Sequence, residues 1–409
     1  MMSAFPSLVP SRDTSLVVLS VATTLITSAL VRRALDPPAE RIIPSPRETL
    51  LPKLTKEEQG ELPYPPGAFP GARDVESPYG TIRVYEWGPE TGRKVLLIHG
   101  ISTPCVSLGG LSNILTDQKR CRVILLDLFG RGYSDSPDLP HDARLYTTQI
   151  LLAITSSPLP WTPDGFSIIG YSLGGGIAAD FAAYFSHLVK GLALLAPAGL
   201  IRDDHFGWHT KLVYAGFVPR LLLERTVKKK LTDTKDPEIP PPSSSPSSSQ
   251  EKDDGVGKRC LSVGDKVAGA VSKESENAAA NEMRGISNPH FNSTPLSKGK
   301  AGLTVASAVR WQLEFNRGFV RSFVSSIRWA SISGHAKTWG KLRDLRDGVK
   351  VVILVGRTDP VIVATELEED AKAAIGQEKV EWRVMEGGHE FPITQPDAVV
   401  EEIDGVWKF

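Results

Sequence analysis

The chain alternates short, almost uninterrupted apolar runs with longer stretches whose apolar positions recur at helical spacing. Val95 to Ile98, Val123 to Leu126, Leu192 to Leu195 and Val351 to Val355 are continuous, as parallel strands covered on both faces require. Phe166, Ile168 and Ile169 mark another buried strand, and Val380 to Val384 the last one. Thr81 to Trp87 alternates polar and apolar residues, the pattern of a half-buried or edge strand. Helical segments lie between these runs, up to Gln118, around Leu145 to Ile154, and from Gly175 to about Phe185. Strands alternating with helices in this way predict a mostly parallel, doubly wound α/β sheet.

The alternation stops after Leu195 for about 140 residues and then resumes. Residues 201–335 are therefore expected to form a helical cap inserted after the sixth strand, over the sheet's C-terminal edge. The sheet core is then 79–200 and 336–409. Within the cap, His205 to Leu231 holds apolar helical pieces interrupted by Gly216 and Pro219, closing on Lys228, Lys229 and Lys230. Pro240 to Ser249 is proline and serine only, and Phe291 is the single aromatic residue between Leu231 and Gly302. So little apolar surface cannot offset the entropy of ordering, and about 231–302 is expected to be disordered. Trp311, Phe315, Phe319, Phe323 and Ile327 then recur every fourth residue, predicting one continuous apolar helix face.

The N-terminal fifth is different in kind. Residues 36–78 are rich in proline and are expected as an extended connector. In residues 1–35, Leu16 to Val31 carries no charge and precedes Arg32 and Arg33. With Thr14 and Ser15 it barely reaches the roughly 20 residues of a spanning helix. It reads as an anchor, a signal peptide or a targeting helix, with an amphipathic or buried helix as the alternative. Membrane association through residues 14–31 would leave the main domain on the cytoplasmic side; otherwise the protein is cytoplasmic or organellar.

Composition narrows the partners. Lysine plus arginine and aspartate plus glutamate both number 47, a zero net charge that gives no sign of nucleic-acid binding. Cys105, Cys121 and Cys260 are odd in number and widely spaced, so neither a disulfide framework nor a zinc site follows, and no metal or cofactor is expected. Cys105 reads as a small packing residue. Asp127 to Asp135, with Gly130 and Gly132, lacks the spacing of a phosphate-binding loop and reads as a structural turn.

The chemistry centres on Gly170-Tyr171-Ser172-Leu173-Gly174, a G-x-S-x-G turn between a buried strand and a helix rich in small residues. A serine at the apex of so tight a turn needs strained backbone angles, and Gly170 and Gly174 keep its flanks free of side chains. A serine hydroxyl needs a base, and the base an orienting acid. Of eight histidines, only His389 follows a final strand, behind Gly387 and Gly388. Asp359 stands just past the strand at Val351 and completes the order serine, acid, histidine; Asp370, in a charge-rich helical stretch, is a weaker candidate. Developing negative charge needs fixed N–H donors. The Leu173 amide and the Ile101 amide, after His99-Gly100, are the candidates, with His99 bracing the loop. Tyr171, Ser102, Trp311 and Phe315 are candidate substrate contacts.

Through His99-Gly100-Ile101, the Asp127 to Asp135 segment, Gly170 to Gly174, Gly356 to Asp359 and Gly387 to His389, the chain resembles the α/β-hydrolase superfamily. It looks most like capped lipase/esterase and peptidase-like members. The resemblance spans about Thr81 to Leu200 and Trp339 to Trp407. It implies the α/β-hydrolase fold, a Ser172, Asp359 and His389 triad and an oxyanion hole of Ile101 and Leu173. Epoxide hydrolases and dehalogenases of that superfamily carry aspartate at the nucleophile position, so Ser172 argues against those activities. The expected function is a serine hydrolase acting on an ester or related acyl bond of a small, hydrophobic substrate. A proline-iminopeptidase-like or amide hydrolase, and a non-catalytic binding protein on the same fold, are the alternatives.

Overall fold

The computed structural model describes residues 12–35, 41–202, 205, 218–232, 289–296 and 302–409. Eight strands build one sheet: β1 (Ala72–Val75), β2 (Ile82–Trp87), β3 (Lys94–Ile98), β4 (Arg122–Leu126), β5 (Phe166–Tyr171), β6 (Val189–Leu195), β7 (Val351–Gly356) and β8 (Val380–Met385). Their order is β8-β7-β6-β5-β3-β4-β2-β1. β2 pairs antiparallel with β1 and β4, and every other pairing is parallel. The longer helices are α1 (Arg12–Leu35), α2 (Gly109–Asp117), α3 (Ala143–Thr155), α4 (Leu173–Tyr184), α5 (Arg220–Thr232), α6 (Val305–Phe315), α7 (Phe319–Trp329), α8 (Ala364–Ile375) and α9 (Pro396–Trp407). The apolar runs of β3 to β7 are buried because the sheet is covered on both faces. The direction of the connections reverses between β3 and β5, so their C-terminal ends open the crevice where such sheets bind ligands.

Residues 36–78 are more than a connector. Lys56–Glu61 is a helix with a Thr55/Glu58 capping box, Ile42–Ile43 pairs with Ser136–Pro137, and β1 adds an outer strand. This strand also explains why β2 is interior rather than half-buried. Asp74 stands opposite Arg83 and bonds its guanidinium at 2.8 Å, while Arg73 reaches Glu86 at 2.7 Å. The polar positions of β2 are thus paired inside the protein instead of facing water.

After β6 the cap comprises α5, the short helix Pro289–Asn292, a bridge between Pro295 and Thr304, α6 and α7. The expected continuous apolar face is broken into two helices. Asn316 Oδ1 accepts the Gly318 N–H at 3.0 Å, and a Cβ on Gly318 would lie 2.4 Å from Ser136 Cβ. Of the stretch expected to be disordered, 233–288 and 297–301 lie outside the described residues. Its margins depart from that expectation: Leu231 is buried in α5, and Phe291 is buried in the short helix.

Helix α1 holds Leu16, Val17, Leu19, Leu25 and Leu30 exposed, while the hydroxyls of Ser20, Thr23 and Thr24 bond back to its own carbonyls. Among the described residues no helix is long and apolar enough to cross a membrane, so the membrane-spanning reading of 14–31 is not supported.

Glu86 anchors the β1–β2–β4 side of the sheet: Arg122, Ser157 and the Trp161 indole N–H all bond its Oε1. Removing one partner from a buried ionic cluster strands the others. Glu86→Ala is expected to lower unfolding free energy by about 3–5 kcal/mol in urea titration. The exposed Glu90→Ala is expected to change it by about 0.5 kcal/mol or less.

Candidate active site

Ser172 occupies the turn between β5 and α4 with φ 55° and ψ −120°, a backbone state that L-residues seldom adopt. The two flanking glycines are required by contacts. A Cβ on Gly170 would fall 2.3 Å from the Gly174 carbonyl oxygen, and one on Gly174 would fall 2.2 Å from that of Ile98. The turn is held from below, as the Ser172 N–H donates to Leu195 O at 2.9 Å and its carbonyl accepts the Ala198 N–H at 3.0 Å. Leu173 begins α4, so its N–H has no carbonyl four residues earlier within the helix and stands at the positive dipole end.

The loops after β7 and β8 bring the other two candidates to this turn. His389 Nε2 lies 3.0 Å from Ser172 Oγ, and His389 Nδ1 lies 2.8 Å from Asp359 Oδ2. A carboxylate only accepts, so Nδ1 carries the proton and Nε2 is free to accept the serine proton. Asp359 is itself fixed, its Oδ1 taking the Val361 and Ile362 N–H groups at 2.8 and 3.0 Å. Ser172 is 5 % and His389 6 % exposed, a site shielded from bulk water. Asp370 is elsewhere: it pairs with Arg202 at 2.8 Å, beside a hollow of about 650 Å³ that contains none of these three residues.

On the opposite side of Ser172, a Cβ on Gly100 would sit 3.3 Å from Ser172 Cβ, so the backbone passes close to that side chain. His99 sets that peptide. The Leu128 N–H donates to its Nε2 at 2.9 Å, which leaves the proton on Nδ1, 2.7 Å from the Gly100 carbonyl oxygen. The peptide so held carries the Ile101 N–H. Burial lowers the His99 pKa to about 3, keeping it neutral.

The remaining expectations divide. Tyr171 does not present its hydroxyl to a substrate but donates it to the His389 carbonyl at 3.0 Å, with the rings 5.3 Å apart. Trp311 packs edge-on against Tyr64 and Tyr133, which touch each other, and Phe315 lies 6.4 Å from Trp311 between ring centres. Ser102 is buried and its carbonyl is taken by a cap side chain, Gln312. The Asp127 to Asp135 segment is a turn, as expected. The buried Asp127 carboxylate accepts from Tyr64 and from the Cys105 and Tyr133 amides, although burial raises its pKa. The sequence reading missed Phe291, whose ring lies 6.3 Å from that of His389. Its only signal was being the one aromatic in a polar stretch. No group of three potential metal ligands occurs among the described residues.

A model of the alpha/beta hydrolase fold family matches residues 94–396. The chain belongs to that family. Among relatives, a serine hydrolase-like protein of Dictyostelium discoideum is 32% identical over 142 residues, 33% of this chain and 38% of that protein. A serine hydrolase-like protein of Danio rerio is 32% identical over 129 residues, 31% of this chain and 38% of that protein. An uncharacterised protein of Mycobacterium tuberculosis is 34% identical over 115 residues, 28% of this chain and 31% of that protein. The chain thus aligns with about a third of the length of these three relatives. Among solved structures, an esterase from Rhodococcus sp. ECU1013 superposes with TM-score 0.52 at 17% identity, covering 83% of this chain and 98% of that one. A bacterial membrane phospholipase A superposes with TM-score 0.51 at 17% identity, covering 96% of each. At that identity the likeness shows the fold.

His141 resembles His99 in being buried, with its pKa likewise lowered to about 3, first by burial and then by Arg131. Both histidines take up protons near pH 6.5 once unfolded, but only near pH 3 when folded. Their contribution is therefore complete above about pH 6.5 and is lost as pH falls toward 3. Urea midpoints are expected to drop between pH 6.5 and 4. His141→Gln should make the acid limb shallower, by up to about 1.4 kcal/mol per pH unit. A midpoint constant over that range would contradict this.

Proposed function

We propose that this α/β-hydrolase is a serine hydrolase that cleaves a carboxylic ester or related acyl bond through an acyl-enzyme. The observation that carries the reading is the unbroken hydrogen-bond chain from Ser172 Oγ through His389 to Asp359. His389 Nε2 takes the hydroxyl proton as Ser172 Oγ attacks the acyl carbon. Asp359 holds the ring in its Nδ1–H tautomer and stabilises the imidazolium that forms. The carbonyl oxygen becomes an oxyanion, which the Ile101 and Leu173 N–H groups stabilise. Collapse expels the alcohol, protonated by His389. Water, deprotonated by the same nitrogen, then releases the acid and restores Ser172.

A small apolar acyl group is the substrate class that the surroundings favour. An apolar cavity of about 390 Å³ is lined by Phe69, Val106, Ile114, Leu296, Leu303 and Ile393. Val106 lies five residues after Ile101 and Ile393 four after His389 in the chain, although Ser172, Asp359 and His389 are not among the lining residues. The names of the serine hydrolase-like relatives agree with the reaction class.

A fluorophosphonate probe should label the wild-type chain and fail to label Ser172→Ala. His389→Ala should reduce kcat on p-nitrophenyl esters by about 10⁴- to 10⁶-fold with a thermal midpoint close to wild type. Faster turnover of prolyl anilides than of esters would move the assignment to amide hydrolysis. Absence of both labelling and turnover would remove the enzymatic reading.

A further inference from the structure

The turn at Gly130, Arg131 and Gly132 joins the Ile101 loop to the cap. Three successive carbonyls of that loop are each held by a side chain. His99 faces Gly100 O, Arg131 Nε donates to Ile101 O at 3.0 Å, and Gln312 Nε2 donates to Ser102 O at 2.8 Å. His99 belongs to the core, and Gln312 to cap helix α6. Arg131 lies between the two, for its Nη2 donates to Ser326 Oγ on α7 at 3.1 Å.

The same turn is bound to the cap along its backbone. Gln312 Oε1 accepts the Gly132 N–H at 3.1 Å, Asn316 Nδ2 donates to Gly132 O at 3.1 Å, and Ser322 Oγ donates to Gly130 O at 3.2 Å. Side chains are excluded at both glycines: a Cβ on Gly130 would strike Ser322 Oγ at 2.2 Å, and one on Gly132 would strike Asp127 Oδ2 at 2.1 Å. Arg131, Gln312, Ser322 and Ser326 are fully buried, so these bonds have no water to replace them. Fixing a carbonyl fixes its peptide plane: His99 thereby orients the Ile101 N–H directly, while Arg131 and Gln312 hold the next two peptides and so keep the loop that carries it in place.

The geometry points to an interlock in which the seated cap fixes the Ile101 loop in its oxyanion-binding form, with Gln312 as the positioning residue. This rests on the serine hydrolase reading above. A cap shifted away from the sheet releases the Ser102 carbonyl directly and removes Ser326 from Arg131. A substrate that seats the cap therefore also completes the oxyanion site. The effect belongs to the chemical step, because the interaction is realised when the oxyanion forms.

The test compares Gln312→Met and the isosteric Gln312→Glu with Ser325→Ala. Ser325 ties the cap to the core through the His141 N–H at 3.0 Å without touching the loop. On p-nitrophenyl esters, both Gln312 variants should lose about 10- to 100-fold in kcat, since small misplacements of a reacting group cost that much. Their KM should stay within about twofold, and the apparent pKa of the rate profile should not move because His389 keeps its partners. Ser325→Ala should lose thermal stability with kcat unchanged. If either folded Gln312 variant keeps wild-type kcat, the interlock is overturned while the hydrolase reading stands. If the wild type neither turns over acyl substrates nor takes the fluorophosphonate, both fall together.

Discussion

The backbone at Ser172 is the constraint on which the rest of the site depends. A positive φ at a serine costs about 1–3 kcal/mol, and it persists because neighbouring structure leaves no alternative. β5 enters the turn paired on both edges, by β3 and β6, and α4 leaves it packed against the same sheet. Glycines at 170 and 174 let the two arms close to backbone contact. The hydroxyl is thereby raised at the point where the β7 and β8 loops deliver Asp359 and His389. Relaxing the turn would move the Ser172 hydroxyl from His389 and from the helix N-terminus together.

Around this point the fold separates orientation from closure. The core fixes tautomers with one backbone and one side-chain group: the Leu128 amide determines which nitrogen of His99 is protonated, and the Asp359 carboxylate does the same for His389. Tyr171, buried beside Ser172, spends its hydroxyl on the His389 backbone and steadies the loop after β8. The cap contributes apolar cover, including Phe291 over His389, and polar ties to the turn after β4.

What the sequence made legible follows from how local each signal was. The interior strands declare themselves as apolar runs because parallel strands are covered on both faces, and the elbow by glycines that no side chain could replace. Asp359 and His389 are legible through their order and their positions after strands. β1 is not, since Ala72–Val75 is four residues long and its Arg73 and Asp74 make sense only beside Glu86 and Arg83. The break between α6 and α7 escapes periodicity because the apolar spacing continues across Asn316 and Gly318, whose contacts are with distant residues. Gln312 is hidden for the same reason: a glutamine on a helix reads as solvated until the Ser102 carbonyl and the Gly132 amide are seen to surround it.

The measurement closest to the central claim is a crystal structure of the full chain after reaction with a fluorophosphonate. The account predicts phosphorus bonded to Ser172 Oγ, with one phosphoryl oxygen about 2.7–3.1 Å from both the Ile101 and Leu173 nitrogens. An adduct on Ser172 whose oxygen points to solvent, or an adduct on another side chain, would contradict it.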